Sequence, residues 1–435
     1  MGTVSPVRRL LRHPTLASGL GALAAAELAA RLLAPRGTLV APAEIALERY
    51  FSAEEIARGA RFARPQLALG LARGMVDGLV LGLVARRSRR TPVRARAVAP
   101  VAGGALTGAA LSLALVAAPL PLAVVARRRA IAVGLVTQSW RGWALDLLKS
   151  SAIGSVLAGG AGAAVTALTR RYPRGWWLPA AGGSVGVGAL FAALGPVLLD
   201  PVFNEFTPLP EGSQRREDVL ALARAARVRV GEVYSIDASR RTTAANAYVT
   251  GLGPTKRVVL FDTLLNRYTR DEVRVVVAHE LSHVRHRDVA RSLLYAALAA
   301  PPAALAVQRL SWTLSPRREG PEALPALALA AALVSAPTGL IANRLSRAVE
   351  RRADQFSLEL SEAPEAFVSF ERAIALQNVA DLDPPWWVRR VLATHPPTSE
   401  RIGAAVAWSA RRDRRPAPPI AEASRPAGRE TPAGS

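Results

Sequence analysis

Seven long runs of Ala, Leu, Val and Gly decide most of what this chain can become. They lie at about 14–35, 65–85, 97–126, 150–169, 176–200, 292–308 and 323–343, and the third holds no charged residue at all. About 20 apolar residues are needed to carry a helix across hydrocarbon. Only elements that satisfy their own backbone polar groups can lie there. The runs therefore predict a mainly α fold with about seven transmembrane helices, although the sixth is short and carries Pro301 and Pro302.

The rest of the composition agrees. Half of the 435 residues are hydrophobic, and their concentration in runs excludes an ordinary soluble chain of two or three domains. The formal charge is +23. Its Arg residues cluster at the ends of the runs and in the C-terminal tail, where membrane proteins meet lipid headgroups. A lipid bilayer is thus an expected partner, and a specific nucleic acid is not. Arg8, Arg9 and Arg12 precede the first run as in a signal peptide, but that run is too long and more spans follow, so an uncleaved first span is expected. Loop charge does not fix orientation: Arg86, Arg87, Arg89, Arg90, Arg94 and Arg96 crowd one loop, yet alternate sides carry similar totals.

Two runs carry charge. Glu27 and Arg31, and Arg73 and Asp77, are each four residues apart and share a helix face. Each pair reads either as self-neutralising near an interface or as lining a wet interior. Between spans five and six lies a polar stretch with a helix at 214–228, strands at 230–236 and 256–261, and a helix starting at Asp271. The expected organisation is an N-terminal membrane region at 1–200, a polar domain at 201–290, two spans at 291–343, the rest of that domain at 344–410 and a disordered tail at 411–435.

Chemistry is carried by His279-Glu280-Leu281-Ser282-His283, after the apolar Val275–Ala278. Four-residue spacing puts both imidazoles on one helix face, where they can hold one zinc ion, with Glu280 placed to activate a zinc-bound water. The chain has no Cys, so further ligands must be His or carboxylate. Six residues after the second His stands Val289, which excludes a third His there. Glu350, from a later helix, is the best third ligand. Asp354, one turn on, would hydrogen-bond a ligand His. His286 shares the His279 face and reads as a surface group or an outer hydrogen-bonding group more than as a ligand; His13 reads as interfacial.

His-Glu-x-x-His, two spans, then Glu-x-x-x-Asp resembles the integral-membrane zinc metallopeptidases comprising the type I CAAX prenyl endopeptidases and the HtpX heat-shock proteases. Supporting stretches are Pro201–Leu209, Ala245–Gly251, Thr394–Ile402 and, for the CAAX branch, Gln138–Trp143. The similarity covers roughly 130–405, and seven spans suit the CAAX branch better. The resemblance implies helices enclosing a water-filled chamber, a small α+β gluzincin-like domain facing the cytoplasm, and one zinc per chain. It also implies that Asn246, Ala247 and Tyr248 form an edge strand for the substrate main chain, that His395 donates to the oxyanion, and that Arg401 anchors the site or the Glu350 helix.

The expected function is a multi-pass zinc endopeptidase acting on membrane-associated polypeptides, with CAAX-type prenyl-tail cleavage as an open specificity. The Arg- and Ala-rich bias suggests a GC-rich bacterial genome, hence a bacterial plasma membrane. The competing class is a non-catalytic transporter or scaffold.

Overall fold

The computed structural model describes residues 13–90, 99–251 and 256–413. The arginines before residue 13, Arg94 and Arg96, and the tail from 414 onward lie outside the described residues. Helices run in the order α1 (Pro14–Leu33), α2 (Ala53–Arg90), α3 (Pro100–Ala117), α4 (Leu120–Ala132), α5 (Trp140–Arg171), α6 (Trp177–Leu198), α7 (Asp200–Phe203), α8 (Gln214–Ala225), α9 (Asp262–Arg267), α10 (Arg270–Arg285), α11 (Asp288–Leu314), α12 (Leu324–Ser361), α13 (Pro364–Gln377) and α14 (Thr398–Asp413). Among the described residues seven are long and apolar enough to cross a membrane: α1, α2, α3, α5, α6, α11 and α12.

Their outer faces show why. Met75, Leu79, Leu83 and Val156 are 64–75% exposed, large apolar side chains that water would penalise and lipid covers. The protein is an integral, multi-pass membrane protein. With apolar lipid outside, the helices associate by close packing rather than by hydrophobic burial. Thus α3 and α5 meet on glycine: a Cβ on Gly104 would stand 2.2 Å from Thr166 Oγ1, and one on Gly162 would stand 2.3 Å from the Gly104 carbonyl oxygen.

Three expectations need correction. The uncharged run at 97–126 is not one span: α3 ends at Ala117 and α4 starts at Leu120, because Pro119 and Pro121 lack the N–H that would continue the ladder. The boundaries at 290/291 and 343/344 fall inside α11 and α12. Finally, 411–413 belong to α14 rather than to a disordered tail. Of the charged pairs, Glu27 binds Arg31 and also Arg344 of α12, each at 2.6 Å. Among the described residues Arg73 and Asp77 form no ion pair, and Asp77 Oδ1 is buried without a hydrogen-bond partner. His13 is exposed at the N-terminus of α1.

The polar domain is built on a four-stranded sheet, β1 (Phe206–Pro208), β2 (Glu232–Ile236), β3 (Ala247–Thr250) and β4 (Arg257–Phe261), in the order β1-β2-β4-β3. β2 and β4 are parallel, β3 is antiparallel to β4, and β3 is an edge strand. Val258, Val259 and Leu260 are fully buried, and Leu260 packs with Val277, Leu281 and Phe370 of the helical layer. The domain is tied to the bundle by Arg241 Nε to Asp146 Oδ2 of α5 at 2.8 Å and by a bridge between Val136 and Thr242. The loop entering α5 is pinned by Arg127, which stacks on Trp140 and Trp143 and donates to the Gln138 carbonyl.

Candidate metal centre

α10 is fixed along its N-terminal half before it presents any chemistry. Thr269 caps it reciprocally with Glu272, and Ser369 Oγ donates to the same Glu272 carboxylate at 2.6 Å. Val275, Val277 and Ala278 are at most 1% exposed. Ser357 Oγ of α12 donates to the Val275 carbonyl at 2.7 Å, which holds α12 against α10. α12 itself continues unbroken from the membrane, so a carboxylate 67 positions after His283 arrives on a rigid rod.

Two imidazoles and one carboxylate converge as a result. His279 Nε2 stands 3.3 Å from His283 Nε2 and 3.3 Å from Glu350 Oε2, while His283 Nε2 is 3.8 Å from Glu350 Oε1. Three donor atoms on one tetrahedral ion, each about 2.0–2.2 Å from it, stand about 3.3–3.6 Å apart. Glu350 Oε2 is buried with only the ring nitrogens of His279 and His395 near it, at 3.3 and 3.5 Å, and a buried carboxylate of this kind is stabilised where a cation meets it. Among the described residues this is the cluster whose ligand atoms all lie within 4.8 Å of one another. A metal fits.

The outer nitrogens are held as well. His279 Nδ1 faces Asp354 Oδ1 at 3.0 Å, and Asp354 is gripped by Arg401 at 2.9 and 2.5 Å. His283 Nδ1 faces Asp288 Oδ2 at 3.1 Å, and Asp288 also binds Arg352. Burial alone would lower the proton affinity of His279, but the Asp354 and Glu350 carboxylates outweigh it and raise its pKa to about 10. Surroundings that hold an imidazolium this firmly also favour a divalent cation. Glu280 lies beside these groups, and burial raises its carboxyl above the ordinary range.

Two site residues escaped the sequence reading. Asp288 starts α11, after Arg287 at φ 56° turns the chain back toward the site. Glu371 is a 2% exposed acid on α13 whose Oε1 is 2.8 Å from Arg401 Nη1; burial pushes it up to about 7, against Arg401. An acid within the mostly apolar stretch 366–376, beside Arg372, was its only signal.

Of the predicted residues, the structure brings together His279, Glu280, His283, Glu350, Asp354, His395 and Arg401. His395 Nε2 lies 3.5 Å from Glu350 Oε2. A cavity of about 530 Å³ beside them is lined by Glu280, His279, His395, Glu371 and Asn246. Ala247 and Tyr248 do not line it: Ala247 is buried in the sheet and the Tyr248 hydroxyl donates to Asp200 at 3.1 Å. Their main chain nevertheless forms the free edge of β3. His286 is not a ligand; its Nδ1 sits 2.9 Å from the Ser282 carbonyl and its ring packs on Phe356.

Comparison with known proteins places this arrangement. Residues 211–409 match the model of peptidase family M48. The chain is 30% identical over 301 residues to the uncharacterized metalloprotease YhfN of Bacillus subtilis, covering 67% of this chain and 70% of that protein. Against the CAAX prenyl protease 1 homolog of Oryza sativa it is 29% identical, spanning 48% of this chain and 51% of the relative. The crystal structure of S. mikatae Ste24p superposes with a TM-score of 0.72 at 20% identity, covering 92% of this chain and 99% of that one. The helical membrane architecture with its small mixed domain is therefore a shared fold.

Proposed function

The chain belongs to peptidase family M48 and is a membrane metallopeptidase; from that premise we propose that it is a zinc endopeptidase using His279, His283 and Glu350 as ligands and Glu280 as general base. The observation that carries this reading is the convergence of His279 Nε2, His283 Nε2 and the Glu350 carboxylate, with 3.3 Å between the nitrogens, 3.3 Å from His279 to Oε2 and 3.8 Å from His283 to Oε1, next to a cavity that Glu280 lines. The donor set, two imidazoles and one carboxylate, suits zinc in a site that keeps a position open.

Once bound, the ion supplies Lewis acidity to the scissile carbonyl and to the attacking water. Everything else falls to side chains. The Glu280 carboxylate accepts the water proton and returns it to the leaving amine. Its burial raises its proton affinity, so the proton is held between the two transfers. His395 donates to the oxygen on which negative charge develops. Asp354 and Asp288 orient the outer nitrogens of His279 and His283. Asn246 and the β3 edge hold an extended substrate by its main chain.

The substrates are membrane-associated polypeptides, reached from a zinc domain on the cytoplasmic face of a bacterial plasma membrane. Cleavage of prenylated tails, as named in the CAAX relatives, is the narrower specificity. The test is hydrolysis of an unmodified and a farnesylated peptide by the detergent-purified full chain, beside Glu280→Gln. Proteolysis should fall by about 10²–10⁴-fold in the variant with metal content unchanged. Full activity in the variant would remove Glu280 from the mechanism.

A further inference from the structure

A second cavity, apart from the one that Glu280 lines, is bordered by α12. It measures about 1180 Å³ and opens between the C-terminal end of α1, the middle of α12 and the turn at 388–392. That is at or above the usual size of a small-molecule site, about 300–1,000 Å³. Six guanidinium groups line it, against the carboxylates of Glu44 and Glu400.

Most of these guanidiniums already have partners. Arg31 and Arg344 share Glu27, and Arg351 pairs with Glu400. Arg347 is buried and donates to the carbonyls of Arg390 and Ala393, which fixes the turn at 388–392. That turn carries Arg389 and Arg390. Neither has a carboxylate partner among the described residues. The cavity thus holds two guanidiniums without a carboxylate partner, on a turn whose backbone is anchored, beside one carboxylate, Glu44, without a basic partner among the described residues, a net positive lining that concentrates anions.

Its depth in the membrane narrows the anion. The Glu27–Arg31–Arg344 cluster stands where the apolar runs of α1 and α12 end. Trp386 and Trp387, 65% and 39% exposed, flank the turn as interfacial tryptophans do. Phosphate groups of lipids lie at this level, and guanidinium recognises phosphate bidentately. Basic pockets between membrane helices favour anionic headgroups in the same way.

We propose that this Arg-lined cavity is a binding site for a phosphoryl anion, supplied at this depth by an anionic phospholipid headgroup.

The experiment is native mass spectrometry of the full chain in detergent, titrated with phosphatidylglycerol or, separately, phosphatidylcholine. The wild type should retain at least one phosphatidylglycerol in preference to phosphatidylcholine. Arg389→Ala/Arg390→Ala should weaken that binding by at least tenfold, and Arg389→Lys/Arg390→Lys, which keeps the charge but loses the bidentate fork, should restore only part of it. Excess inorganic phosphate distinguishes the sources: displacement of the lipid means that the phosphate group alone is recognised, and resistance means that lipid is the ligand. Equal binding of the two lipids by wild type, or unchanged phosphatidylglycerol binding in the alanine variant, would overturn the proposal. The wild-type lipid comparison decides by itself if the alanine variant fails to fold.

Discussion

Asp288→Ala separates a positioned metal ligand from a merely adjacent one. Asp288 is 7% exposed, and its Oδ2 stands 3.1 Å from His283 Nδ1. Its other oxygen meets Arg352, with Arg291 at 3.6 Å. Removing the carboxylate frees the His283 ring to rotate and to change tautomer. Loss of such an outer hydrogen bond weakens metal binding by about 10–100-fold, or about 1.4–2.7 kcal/mol. The same substitution strands Arg352, whose side chain is only 13% exposed, so stability should fall too, toward the lower end of the about 3–5 kcal/mol for breaking a buried pair. Arg352→Ala is the control, because it removes the cation and leaves the carboxylate–imidazole contact. The assay is competition for zinc against a chromogenic chelator, with the thermal midpoint of the metal-free protein measured in parallel. Asp288→Ala should lose affinity by at least about tenfold, and Arg352→Ala should change it by less than about threefold. Wild-type affinity in Asp288→Ala, or an equal loss in Arg352→Ala, would refute the orienting role.

Further outcomes follow from the same geometry. His279 has a pKa of about 10 in the ion-free protein, so near neutral pH it carries a proton that a metal must displace; about one proton should be released per ion bound. The stability that this imidazolium contributes without metal is fully present below the ordinary His value and is lost as pH rises through about 10. Calorimetry in buffers of different ionisation enthalpy reads the release, and a buffer-independent enthalpy would contradict it. Gly162→Ala puts a methyl 2.3 Å from the Gly104 carbonyl oxygen, so α3 and α5 must separate at about 1–3 kcal/mol; a thermal midpoint no lower than wild type would argue against tight contact there. Gly403→Ala should likewise loosen the 34–46 segment, because its Cβ would stand 2.2 Å from the Ala43 carbonyl oxygen. Limited proteolysis of that segment measures this, and unchanged protection would dismiss it.

How much of this was legible beforehand depended on distance along the chain. His279, Glu280 and His283 were readable because one helical turn relates them, and Asp354 followed Glu350 by the same spacing. Hydropathy located the spans but not their ends, since it marks only what lipid touches. The extension of α12 to Ser361, which delivers Glu350, is buried in the polar domain and shows no apolar run. Pro119 was overlooked because the residues around it are as apolar as a span. Asp288 and Glu371 act through tertiary contacts with His283 and Arg401, which no local period encodes. The placing of His286 on the ligand face failed for a local reason: the helix ends there, and its ring folds back on the Ser282 carbonyl.

The most direct test of the account is the metal content of the detergent-purified full chain, wild type beside Glu350→Ala, by elemental analysis. The account predicts about one zinc per wild-type chain and a sharp loss in the variant. A well-folded wild type without metal, or a variant that keeps its full complement, would contradict the ligand set of His279, His283 and Glu350.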